Sequence, residues 1–232
     1  MPDPAADTAA ERPASPNHGP RRGGARPDLV VIHYTAMATA AEARARLCDP
    51  AAEVSAHWLI DEAGRAEALV PEALRAWHAG AGAWGAVSDV NSRSIGIELA
   101  NPGDRPFAAA QMAALEGLLA GILGRWAIPP ERVIGHADMA PARKADPGPR
   151  FDWRRLARAG LSVWPGTGGD AAADFTASAR RFGYPQAAPD LLLAVFRARF
   201  RPWAAGPETA ADRAALDDLA RRFPVDGGGA AA

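Results

Sequence analysis

LVVIHYT at residues 29–35 is a short apolar run rich in β-branched residues and entered from Pro27. Without helical periodicity, such a run predicts a buried strand, here ending at His33. A second stretch, SIGIELA at 94–100, alternates along its length. Ile95, Ile97 and Leu99 fall on one face, and Gly96, Glu98 and Ala100 on the other. A third, RVIGH at 132–136, predicts a brief strand that delivers His136 at its end.

The segments between these runs complete the pattern. Residues 39–48 are alanine-rich with a helical pattern that stops before Pro50, and AHWLIDEAGRAEALV at 56–70 reads as two short strands around a Gly64 turn. From 109 to 126, Met112, Leu115, Leu119, Ile122 and Trp126 recur at helical spacing until Pro129-Pro130 ends the run. The order β-α-β-β-β-α-β predicts an α/β fold of the α+β type, a mixed sheet flanked by helices.

The flanks read differently. Residues 1–27 hold six prolines and no apolar run of the roughly 7–15 residues that a secretory signal needs. The expectation is a disordered leader with a solvated His18, and a cytoplasmic protein, with the periplasm as the alternative. No segment approaches the roughly 20 apolar residues of a membrane span. Residues 28–165 form the expected main domain and 166–170 a Gly-rich linker. Residues 171–223 carry three amphipathic patterns, marked by Phe175, Ala179 and Phe182, by Leu191, Leu192, Val195, Phe196 and Phe200, and by Leu216, Leu219 and Phe223. That predicts a small C-terminal three-helix domain, whose core is marginal unless it docks on a neighbour. Residues 224–232, ending GGGAAA, are expected to be a flexible tail.

A net charge of −1, with 23% charged residues, argues against a general electrostatic nucleic-acid binder. The one cysteine, Cys48, excludes an intrachain disulfide framework and reads as a small core residue at a helix end. Of 26 basic residues only Lys144 is a lysine.

Three side chains are candidate metal ligands: His33, His136 and Asp146. The histidines sit at expected strand ends, and Asp146 lies in a loop stiffened by Pro141, Pro147 and Pro149. Two imidazoles and one carboxylate leave a tetrahedral Zn²⁺ an open fourth position, the arrangement of a catalytic zinc. Spacing alone leaves open the alternative of histidines satisfied within the core.

The words VIHYTAM (31–37), SAHWLI (55–60), AWHAG (76–80), SIGIELAN (94–101) and GHADMAPARKADPGP (135–149), in this order, resemble the zinc-dependent N-acetylmuramoyl-L-alanine amidases of the amidase-2 family. That family shares its fold with peptidoglycan recognition proteins. The resemblance covers about residues 28–160 and looks nearest to the branch acting on anhydro-muropeptides. Residues 171–223, with GPET at 206–209, more loosely resemble a peptidoglycan-binding-like helical domain.

The resemblance implies one Zn²⁺ held by His33, His136 and Asp146, with Glu98 and Lys144 as catalytic residues. Chemically, a carboxylate near an activated water moves its proton, and a compact ammonium stabilises the oxyanion in a way that arginine's wide fork does not. His57, Trp77, His78 and Arg143 are candidate substrate contacts. Plainer alternatives are a core or cleft-wall histidine for His57, a tryptophan capping the core for Trp77 and a solvated arginine for Arg143. Asn91 and Asn101 read as turn-fixing residues, and Trp84 either meets sugar or caps the core.

The implied reaction is hydrolysis of the amide between N-acetylmuramic acid, in its 1,6-anhydro form, and L-alanine in peptidoglycan fragments during cell-wall turnover. Muropeptides are the expected partners, with no nucleic acid, no membrane span and no protein partner. The alternatives are a non-catalytic recognition module on the same fold and a lytic amidase acting on intact peptidoglycan.

Overall fold

The computed structural model of the protein describes residues 14–226. In chain order it runs through β1 (His18–Gly19), β2 (Leu29–Tyr34), α1 (Ala40–Cys48), β3 (Trp58–Ile60), β4 (Ala66–Ala68), β5 (Arg75–Ala76), α2 (Val90–Arg93) and β6 (Ser94–Leu99). It continues through α3 (Ala109–Trp126), β7 (Val133–Gly135), α4 (His136–Met139), α5 (Trp153–Arg158), α6 (Phe175–Phe182), α7 (Pro189–Phe200) and α8 (Ala210–Arg222).

The two apolar runs that open the sequence reading pair in parallel, with His33 opposite Glu98 and Ile32 opposite Ile97. Around them the main sheet has the order β4-β3-β6-β2-β7, parallel except for the β3–β4 hairpin. Parallel strands covered on both faces read as continuous apolar runs, which is why LVVI carries no alternation.

The two faces have different partners. Val30, Ile32, Ile95, Ile97, Leu99 and Val133 share a core with Met112, Leu115, Leu119 and Ile122 of α3. Each such buried aliphatic side chain contributes about 1.5–3 kcal/mol. On the other face, Leu29, Val31 and Ile134 belong to a core that continues through Trp84 and Met139 into Phe182, Phe196, Phe200, Leu216 and Leu219. The C-terminal helices thus gain from the sheet the apolar partners that a bundle of about 50 residues lacks by itself.

Local chemistry sets the helix ends. Thr39 with Glu42 and Thr209 with Asp212 form capping boxes at α1 and α8, and Asp174 caps α6. The C-terminal helices are also tied back to the glycine-rich connection, where the Gly166 amide donates to Asp218 at 2.7 Å.

Three expectations need correction. The disordered leader does not extend through residues 14–27. The Ser15 hydroxyl donates to the Leu47 carbonyl (2.6 Å), and the Asn17 amide to those of Asp49 and Val54 (2.8 Å each). Buried Arg21 donates to Ser92, Ser94 and Glu72 carbonyls, and burial lowers its pKa to about 10. His18, expected to be solvated, is half-buried in β1 and pairs with Ala76 of β5. A segment without an apolar run is held here by polar side chains that satisfy carbonyls left over by loops, and composition does not register such bonds. Residues 1–13 lie outside the described residues.

Second, His136 does not end a strand: it is the first residue of α4, after Gly135. Third, the tail expected from 224 is anchored at its start. The Val225 amide donates to the Arg181 carbonyl (3.0 Å), and its side chain packs on the core; residues 227–232 lie outside the described residues.

Candidate metal centre and cleft

β2 leaves its apolar face at His33, and parallel pairing sets Glu98 beside it. The parallel strands therefore end in polar side chains on the face that, further back, packs the C-terminal helices. In parallel sheets, ligands bind outside the carboxyl ends of the strands. α4 starts at the neighbouring strand's end and contributes His136, and the following loop returns Asp146, whose carbonyl accepts from the Ala137 amide at 2.9 Å.

His33, His136 and Asp146 converge. The two Nδ1 atoms are 2.9 Å apart, and Asp146 Oδ2 lies 3.0 Å from that of His33 and 3.2 Å from that of His136. All three residues are buried. The far nitrogen of His136 meets the Ala79 carbonyl at 2.8 Å. A carbonyl only accepts, so Nε2 carries the proton and, in the neutral ring, Nδ1 offers its lone pair to the cluster.

Burial, then the charge of His136, lowers the pKa of His33 to about 4, so its ring is neutral at pH 7. Burial would raise the pKa of Asp146, but His136 and His33 beside it outweigh that and hold the carboxyl below its usual range. An anionic oxygen and two imidazole nitrogens at 2.9–3.2 Å sit slightly inside the edges of a tetrahedron around Zn²⁺, about 3.4 Å for bonds near 2.1 Å. The donor set fits the ion.

Beside the cluster lies an open cleft of about 390 Å³, lined by Met37, Val54, Trp77, Glu98, Arg143 and Lys144 among others. Glu98 Oε2 is buried without any hydrogen-bond partner in the protein. Burial, then the charge of Asp146, pushes the Glu98 carboxyl up to about 8, while Lys144 pulls it down. A titration point near neutrality suits a group that must both take and give a proton. Lys144 is exposed and lines the same cleft.

The four candidate substrate contacts divide. Half-buried Trp77 lines the cleft. Arg143 also lines it, but its Nη2 donates to the Ala79 and Ala81 carbonyls at 2.8 and 2.5 Å. His57 is corrected: it is fully buried and spent on the scaffold, its Nδ1 accepting from the Gly96 amide (2.9 Å) and its Nε2 donating to the Leu74 carbonyl (3.1 Å). His78 touches the cleft wall, yet both of its nitrogens are taken, Nδ1 at His33 Nε2 (3.0 Å) and Nε2 at Ser94 Oγ (3.2 Å).

Trp84 caps the core, with its ring edge-on to Phe182 and Tyr184 (centroids 5.4 Å apart in each case). Asn91 and Asn101 fix turns: Asn91 Oδ1 accepts from the His78 and Ala79 amides, Asn101 Oδ1 from that of Gly103. Ser94 escaped the sequence reading and Gly96 was read only by its strand face; their signal was a small residue twice on the Glu98 face of an otherwise apolar strand.

Comparison with known proteins follows the same lines. The family described as N-acetylmuramoyl-L-alanine amidase matches residues 23–149. The amidase AmiD of Escherichia coli K12 is 42% identical over 153 residues, 59% of this chain and 54% of the relative. The chain spans about half the length of the curated relatives it first matches. Among solved structures, E. coli AmiD in complex with anhydro-N-acetylmuramic acid-L-Ala-D-γ-Glu-L-Lys aligns with TM-score 0.77 and 35% identity, over 85% of this chain and 90% of that one. AmpDh3 of Pseudomonas aeruginosa in complex with anhydromuramic pentapeptide aligns with TM-score 0.75 and 30% identity, over 97% and 99%.

Proposed function

This chain belongs to the N-acetylmuramoyl-L-alanine amidase family, and from that premise we propose that it hydrolyses the amide between 1,6-anhydro-N-acetylmuramic acid and L-alanine in soluble peptidoglycan fragments. The observation that carries the proposal is the meeting of a donor-poor His33–His136–Asp146 cluster with an unpartnered Glu98 oxygen in one open cleft. Two structural relatives solved with anhydro-muropeptides support the substrate class.

In this reading His33, His136 and Asp146 hold Zn²⁺. When bound, the ion supplies a Lewis acid that polarises the scissile carbonyl and makes water acidic near pH 7. Glu98 takes the proton of the attacking water and passes it to the L-alanine nitrogen as the C–N bond breaks. Lys144 faces the oxygen that gains negative charge, a contact stronger in the transition state than in the ground state. Trp77 and the free face of Arg143 flank the glycan and peptide.

The main unit at 28–165 carries the chemistry, and the helices at 171–223 back α4 through Tyr184 and Arg199. No helix among the described residues is long and apolar enough to cross a membrane. The proposed compartment is the cytoplasm, a placement that recovery in a periplasmic fraction would overturn.

The test is mass spectrometry of a mixed muropeptide digest with and without a chelator. Release of L-alanine-terminated peptide, lost with chelator and restored by Zn²⁺, is the expected outcome. Binding without cleavage points to a recognition module. Clearing of sacculi faster than cleavage of soluble anhydro-muropeptides points to a lytic enzyme.

A further inference from the structure

Two imidazoles present Nδ1 to one point only if both carry their protons on Nε2, and nothing in a free histidine enforces that choice. We propose that the loop His78–Ala79 enforces it for both rings, with His78 and Ser94 as positioning residues for the metal ligand His33. The proposal rests on reading the cluster as a metal centre.

The proton assignment runs through a chain of forced choices. The Ser94 hydroxyl lies 2.6 Å from the Val90 carbonyl, which only accepts, so the single hydroxyl proton goes there. Toward His78 Nε2, 3.2 Å away, Ser94 Oγ is therefore an acceptor, and that nitrogen carries the ring's proton. With His78 neutral, its Nδ1 accepts from His33 Nε2 at 3.0 Å. His33 is left with a bare Nδ1, 3.0 Å from Asp146 Oδ2. The next residue along performs the same office for the other ligand, since the Ala79 carbonyl accepts from His136 Nε2 at 2.8 Å.

Two features show that the sequence makes room for this relay. Asn91 Oδ1 accepts from both the His78 and Ala79 amides (3.0 and 2.9 Å), which fixes the loop as one piece. A Cβ on Gly96 would stand 2.4 Å from His78 Cγ, so no larger residue fits under the ring. Gly96 lies on the same strand face as Glu98, and the gap it leaves is filled by the imidazole. All of these groups are buried, Ser94 and Ala79 completely and His78 at 9% exposure, which leaves few other partners to exchange with. A carboxylate, carbonyl or similar partner on the outer nitrogen of a ligating histidine is worth about 10- to 100-fold in metal affinity.

The experiment uses the full chain stripped of metal, with Zn²⁺ as the probe. Nitrogen-15 NMR of the imidazoles in the unsubstituted protein reads the tautomer directly, and competition against a chromophoric chelator reads affinity. His33 is expected as the Nε2–H form. His78→Leu is expected to lose about 10- to 100-fold in Zn²⁺ affinity, and His78→Gln, which keeps an acceptor near His33, to recover most of it. Ser94→Ala, which frees His78 to change tautomer, is expected to weaken Zn²⁺ less than His78→Leu and to introduce an Nδ1–H population at His33. An Nδ1–H His33 in the unsubstituted protein, or a folded His78→Leu that binds Zn²⁺ as tightly as the parent, overturns the relay and leaves the amidase reading intact. Failure of the parent itself to bind Zn²⁺ overturns the metal centre instead. Should His78→Leu not fold, the tautomer of the unsubstituted protein decides.

Discussion

Asp138 and Asp146 lie in one stretch, HADMAPARKAD, at opposite ends of the turn that follows β7, and both are buried, at 2% and 8% exposure. Their surroundings are opposites. Asp138 is encircled by donors: the Gly135 amide at 2.7 Å, Arg199 at 2.6 Å and the Tyr184 hydroxyl at 3.0 Å. Tyr184 is correspondingly hard to ionise, through burial and then the charge of Asp138. Arg199 in turn lies over the Trp153 ring (4.3 Å) and donates to the Val133 carbonyl. Asp146 instead faces the Nδ1 atoms of His33 and His136, whose Nε2 atoms point away to His78 and the Ala79 carbonyl. A buried carboxylate among donors fastens elements together, here the C-terminal helices to α4; one among acceptors calls for a cation.

The comparison breaks most visibly at Asp146. Asp146→Ala is expected to abolish Zn²⁺ retention and hydrolysis together, read by metal content after dialysis and by peptide release, while the stability of the metal-free chain stays within about 1 kcal/mol. Unimpaired metal content in this variant would falsify the contrast.

Next in size is the step from holding the ion to using it. Glu98→Gln is expected to keep its metal and lose about 10²- to 10⁴-fold in kcat. Lys144→Ala is also expected to retain Zn²⁺ and lose turnover. Because Lys144 lowers the pKa of Glu98, its loss raises that pKa. The acidic limb of the rate profile, where the base becomes protonated, then moves to higher pH. A limb that stays put or moves down removes Lys144 from the neighbourhood of the base.

The fastening role of Asp138 is tested by Asp138→Ala, which strands the Arg199 guanidinium in the core. A cost of about 3–5 kcal/mol in denaturant unfolding is expected, with metal binding kept by the folded fraction. Loss of metal at unchanged stability would merge the two aspartates into one role.

The smallest effect concerns His57, whose pKa burial lowers to about 3. The unfolded chain, titrating near 6.5, binds more protons between those values, so folding stability falls as pH drops through that window. His57→Gln is expected to be less stable at pH 7 yet to lose less on acidification; equal slopes for parent and variant would contradict the burial of a neutral ring.

Much of this was legible beforehand. The strands at 29–34 and 94–99 and the helix at 109–126 announced themselves because apolar periodicity reports directly on which side chains leave water. The convergence of His33, His136 and Asp146 followed from the family's words and not from spacing, which left histidines satisfied within the core as an alternative. What stayed hidden was anything settled by a distant partner. The anchoring of residues 14–27 rests on carbonyls of Leu47, Asp49 and Ser92 that only folding brings near. His57 and His78 were both candidate substrate contacts, yet one is bound to β6 and Leu74, the other to His33 and Ser94.

The paired strands at 29–34 and 94–99, the α3 stripe and the inventory of chemistry-bearing residues are written locally, because burial periodicity and side-chain type are local properties. Only the tertiary structure decided which nitrogen of each histidine faces which neighbour, and which aspartate is ringed by donors. Hydrogen bonds are directional and short, and the groups that complete them here come from up to 61 residues away.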